Sequence, residues 1–234
     1  MGLTRRAGLP TLVVVPALQR PLGPSFARLE YASDALVHLL ALLGAGWAAA
    51  LAWDRSVASG EAATVAALAL YVGGMFALGG ASAAYNLTSG FGIRATLRRL
   101  DHASIYLMIA GTYTPFCVLA IGDLWGGVLL GVVWTLCLLG AAMRVAGWPR
   151  REGMASAIYL GVGWIVVVAL VPLFEALSPT GLILLGLGGV IYSVGVVFYL
   201  WDGLPFHRPI WHLFVLLAAT CHAVAVFQVV VPPA

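Results

Sequence analysis

The chain has no lysine, and only 9% of its 234 residues are charged, against about 25% in ordinary soluble domains. So few charges cannot coat a water-facing surface, which excludes a soluble globular architecture. Twelve arginines against nine acids leave a formal charge of only +3, too little for a nucleic-acid-binding surface. Cysteine is scarce and odd in number: Cys117, Cys137 and Cys221 each lie inside an apolar run, which excludes a disulfide framework and reads as buried helix residues. Strict two-residue alternation of apolar and polar positions is also missing, which argues against a membrane β-barrel.

What is present is apolar sequence. Hydrophobic residues make up 62% of the chain and the mean hydropathy is +1.01. They are arranged in runs of about 18 to 22 residues, each able to cross a hydrocarbon layer of roughly 30 Å at about 1.5 Å per residue. Helices satisfy their own backbone hydrogen bonds in lipid, so the expected fold class is all-α, a polytopic bundle of seven transmembrane helices. The spans are expected near residues 33–53, 62–87, 101–120, 125–146, 154–175, 180–200 and 209–231. The breaks between them carry turn chemistry, including Gly60, Gly122 with Asp123, Ser178 to Gly181, and Asp202 to Pro205.

Residues 1–29 contain Arg5, Arg6 and a short apolar stretch interrupted by Pro10 and Pro16, with no Ala-x-Ala site after it. This argues against a cleaved signal peptide and for a cytoplasmic tail preceding a membrane domain at 30–234. With the N-terminus inside, eleven arginines fall on the cytoplasmic side and only Arg55 on the other. That partition expects a multi-pass protein of the cell (inner) membrane with its C-terminus outside. The sequon at Asn86-Leu87-Thr88 would then face the cytoplasm, unmodified.

Ionisable residues within spans are costly and mark candidate sites. His38 lies early in the first span, His102 opens the third, and His207 and His212 bracket the start of the seventh. His222 falls about 15 Å deeper than His212. Glu30, Asp34 and His38 are spaced by four and stack on one helix face, as do Ser82 and Asn86. Asp101 is expected at the start of the third helix, where a carboxylate also serves as an N-terminal cap. A pocket at this end would gather Ser82, Asn86, Asp101, His212 and either His207 or His222. Imidazoles with a carboxylate suit Zn²⁺; the plainer reading makes His38 and His102 interfacial caps. Ala110 to Pro115 combines small residues with a helix-breaking proline, so a tight crossing and a kink are expected there.

Three segments carry a family resemblance: Ser82-Ala-Ala-Tyr-Asn86, RLDHASIYLMIAGTYTPF at 99–116, and IWHLFVL at 210–216 through Cys221-His222. Together they resemble the hemolysin III family, the bacterial branch of the progestin and adiponectin receptor superfamily. The resemblance implies seven helices, a cytoplasmic N-terminus and a zinc site near the cytoplasmic face. In that pattern a second-helix His and a His-x3-His pair on the seventh helix hold zinc, while a Ser and an Asp lie beside it, as in ceramidase-type lipid amide hydrolysis. Carried over, Ser82 and Asp101 are the catalytic candidates and His212 is the matching metal ligand. Asn86 stands where the second-helix His is expected. Arg208 stands four residues before His212, with His207 one place earlier, and His222 matches a deep histidine of the pattern.

Two functions follow as expectations. One is a membrane-embedded, zinc-dependent hydrolase acting on a membrane lipid, in which metal ligands are drawn from His212, His207, His222 and Asn86. The other is a cytolytic or permeability protein, pore-like and without catalysis, that affects membrane fluidity and energisation. A signalling receptor finds no support, since the loops are too short for a separate ligand or effector domain.

Overall fold

The structure, a computed structural model, describes residues 24–88, 91–148 and 152–227. Its helices are α1 (Pro24–Ser59), α2 (Ala62–Leu87), α3 (Phe91–Pro115), α4 (Leu124–Val145), α5 (Glu152–Gly163), α6 (Leu170–Ala176), α7 (Pro179–Tyr199) and α8 (His207–Ala225). A π-helical turn, Phe116–Ile121, extends α3, and a 3₁₀ stretch, Trp164–Ala169, joins α5 to α6 into one span. Among the described residues, seven helical spans are long and apolar enough to cross a membrane. Large apolar side chains such as Leu43, Trp47, Val171 and Phe174 stand exposed on the outside, where lipid rather than water is the fitting solvent.

The expected turn residues end and begin these helices. Gly60 and Gly122 adopt φ of +65° and +68°, a region that costs glycine little. Asp123 accepts a hydrogen bond from the Gly126 amide at 3.0 Å, and Ser178 accepts one from Gly181 at 3.3 Å with Pro179 in the first turn.

Two helices start earlier than hydropathy alone indicates. α1 begins at Pro24 rather than at residue 33, so residues 24–29 of the expected tail are helical; residues 1–23 lie outside the described part. α3 begins at Phe91 rather than at Asp101. Arg94, Arg98 and Arg99 lower the local hydropathy, yet arginine is a good helix former. Arg94 donates to the Thr88 carbonyl at 2.7 Å at the end of α2, and Arg98 pairs with Glu152 of α5. Asp101 and His102 therefore sit three turns inside α3, and neither caps it.

The small residues and proline of α3 do shape the crossing. A Cβ on Gly111 would lie 2.8 Å from the Leu70 carbonyl oxygen, and one on Gly74 would lie 3.1 Å from that of Leu107, so α2 and α3 meet backbone to backbone. Gly111→Leu is expected to destabilise the bundle by about 1–3 kcal/mol or more, measurable as a lowered unfolding midpoint in detergent. Directly after Pro115 the helix widens into the π turn.

The break in the fifth span was not anticipated. Pro172 lacks an N–H and crowds the carbonyl one turn earlier. In the 3₁₀ stretch before it, Tyr113 of α3 inserts its hydroxyl, which accepts from the Val166 amide at 2.7 Å and donates to the Gly163 carbonyl at 2.8 Å. A phenol thus replaces a missing turn of helix.

Candidate metal site

At the arginine-rich end of the bundle, α1, α2, α3 and α8 converge. One turn of α1 presents Asp34 and His38, both buried; one turn of α2 presents Ser82 and Asn86; α8 brings His212. His212 Nδ1 lies 2.5 Å from Asp34 Oδ1, and the His38 and His212 rings meet edge to face with centroids 4.5 Å apart. One ligand atom from each of Asp34, His38 and His212 lies within 4.8 Å of the others.

Hydrogen bonding sets the tautomer of His38. Its Nδ1 lies 2.7 Å from the Asp34 backbone carbonyl, which can only accept, so Nδ1 carries the proton. Nε2 is then left with a lone pair, and it accepts from the Ser82 hydroxyl at 3.1 Å. The Asn86 amide donates to the Ser82 carbonyl at 3.0 Å and to Ser82 Oγ at 3.3 Å. The Asp101 carboxylate is within interaction range of Ser82, His212, Asp34 and Arg98.

Of the residues expected from the sequence, Ser82, Asn86, Asp101 and His212 are gathered at one end of one cavity. Asn86 is committed to Ser82 as a donor. His207 lines the same cavity, with its Nδ1 buried and lacking a hydrogen-bond partner. His222 lies deeper, where Nε2 donates to the Leu185 carbonyl at 3.2 Å, and the close approach of α7 is possible because Gly188 has no Cβ to meet the ring. Of the expected donors, only His212 belongs to the three-residue group; Asp34 and His38 complete it. Their four-residue spacing was visible in the sequence, but the pairing of Asp34 with a residue 178 positions away was not.

The donor set fits a divalent ion. Two imidazoles and one carboxylate form a common catalytic zinc set, and the Asp34 carbonyl on His38 Nδ1 is the outer hydrogen bond that orients such a ligand.

A second polar cluster stands beside the first. Arg144, buried near the end of α4, donates to His102 Nδ1 at 2.8 Å and to the Tyr159 hydroxyl at 3.1 Å, and its Nη2 lies 3.6 Å from Glu152. Because the guanidinium can only donate, His102 is neutral with Nδ1 as acceptor. Tyr159 donates onward to the His102 carbonyl at 3.1 Å, and Tyr199 donates to Glu152 at 3.0 Å. This network ties α3, α4, α5 and α7 together at the site's edge.

Both clusters open on a cavity of about 850 Å³ whose walls are mainly apolar. Along α3 and the π turn that extends it, its lining runs from Arg98 to Cys117, about 28 Å and close to the thickness of a hydrocarbon core.

Comparisons with known proteins agree with this architecture. A model of the family described as haemolysin-III related matches residues 30–223. Hemolysin-3 of Bacillus cereus is 42% identical over 135 residues, covering 58% of this chain and 62% of that protein. The hemolysin-3 homolog of Bacillus subtilis is 44% identical over 120 residues, covering 51% and 56%. The human monocyte to macrophage differentiation factor is 31% identical over 130 residues, covering 55% and 53%. The aligned regions thus span a little over half the length of these relatives. With seven membrane-length helices, a family match across most of its sequence and a buried Asp/His/His cluster, this chain belongs to the haemolysin-III-related family of multi-pass membrane proteins.

Proposed function

We propose that the protein is a divalent-ion-dependent hydrolase of a long-chain lipid amide in the bacterial inner membrane. The observation that carries this reading is the junction of a buried Asp34/His38/His212 group with an apolar cavity of membrane length. Asp34, His38 and His212 would hold the ion. When bound, zinc polarises oxygen and makes water nucleophilic near neutral pH. The cavity would take the acyl chain, with the scissile carbonyl beside Ser82. Asp101 accepts the proton of the attacking water, and the Ser82 hydroxyl donates to the developing oxyanion. Orientation follows the arginine partition, with this end cytoplasmic.

Metal analysis of detergent-purified protein tests the reading together with fatty-acid release from a long-chain N-acyl lipid. About one zinc per chain and chelator-sensitive release are expected, both lost in His212→Ala. Metal-free protein whose activity is indifferent to that substitution would sink the proposal.

A further inference from the structure

The hydrogen bond between Ser82 and His38 admits a chemistry that needs no ion. We propose that in the ion-free protein Ser82 is a nucleophile activated by His38, making the site an acyl-serine hydrolase of long-chain esters. This rests on the lipid reading above only for the acyl chain in the cavity.

A nucleophile must lie within hydrogen-bond reach of a base that a third group orients. Ser82 Oγ is 3.1 Å from His38 Nε2, and the Asp34 carbonyl holds the opposite ring nitrogen at 2.7 Å. The Asp34 carboxylate lies 3.7 Å from that same nitrogen, where it stabilises the imidazolium that forms on proton uptake. Asp34 is thus a positioning residue. Asn86, which stands where the family pattern expects a histidine ligand, directs its amide N–H at Ser82 Oγ from 3.3 Å, where it stabilises the negative charge that develops on that oxygen as its proton leaves. Ser82 and His38 both line the cavity.

The steps balance as follows. Ser82 Oγ bonds to the ester carbonyl carbon while its proton passes to His38 Nε2, and the carbonyl electron pair moves onto the carbonyl oxygen. Collapse breaks the bond to the alkoxy group, which leaves as an alcohol carrying the proton from His38. Water then attacks the acyl-serine, gives a proton to His38, and the fatty acid departs as Ser82 regains its own.

The two chemistries exclude each other. A neutral imidazole has one nitrogen lone pair, so an ion on either nitrogen of His38 removes the acceptor that Ser82 needs.

A long-chain alkyl fluorophosphonate tests this on the full-length, chelator-treated protein in detergent. Attack by Ser82 Oγ on phosphorus expels fluoride, and peptide mass mapping should find the adduct on Ser82. His38→Gln is expected to slow labelling by about 10²-fold or more, and Asn86→Ala by about 10²-fold. Stoichiometric zinc should suppress it. Absence of a Ser82 adduct in protein that remains helical and monodisperse would overturn the proposal. So would an undiminished rate in His38→Gln or in zinc-loaded protein. Equal labelling by a short-chain probe would leave the nucleophile standing and instead remove the acyl-chain reading.

Discussion

Asp34→Asn, His38→Ala and His212→Ala should each weaken zinc binding by at least about 100-fold, while His222→Ala should leave it unchanged. Competition with a chromophoric chelator measures this directly. Loss of an outer-shell hydrogen bond alone typically costs about 10–100-fold, so removing a ligand should match or exceed the upper figure. The contrast follows from geometry: three donor atoms lie within 4.8 Å of one another, whereas His222 is engaged with the Leu185 carbonyl about 15 Å along α8 from His212. Equal losses from His212→Ala and His222→Ala would move the ion deeper and refute the assigned set.

Arg144→Leu is expected to destabilise the folded bundle by about 1–3 kcal/mol, because one substitution leaves the buried His102 acceptor without its donor. His102 Nδ1 loses the hydrogen bond at 2.8 Å, Tyr159 loses one at 3.1 Å, and Glu152 keeps only Arg98 and Tyr199. Arg98→Ala should cost no more than about 1 kcal/mol, since that side chain is half exposed and its ion pair with Glu152 is screened. Unfolding curves in detergent for the two variants, with Arg144→Leu/Glu152→Gln as the coupled control, separate the effects. Similar losses for both arginines would show that burial of Arg144 contributes nothing.

The spans were legible because an apolar run needs no information from the rest of the chain: about twenty such residues form a lipid-facing helix wherever they occur. Ser82 was legible as a polar residue inside a span and Asp101 as one at the edge of a span, and the resemblance at 99–116 marked the latter region. Helix starts were less so. Arginines read as loop by hydropathy, but they continue α3 by a further ten residues because their side chains reach Thr88 and Glu152. The site's donor set was the least legible part. His38 read as an interfacial cap, and only the approach of α8 gives it His212 as a neighbour.

The sequence by itself determined a seven-span apolar bundle, the clustering of arginines at one end and the presence of Ser82, Asn86, Asp101 and His212 near that end. Each is a property of local composition or of position along one helix. Tertiary structure decided which side chains touch: Asp34 with His212, His38 with Ser82, and Arg144 with His102. Those contacts join residues 42 to 178 positions apart. They depend on helix rotation and crossing, set in part by the bare backbones of Gly74 and Gly111, and periodicity along one helix does not encode its rotation against another.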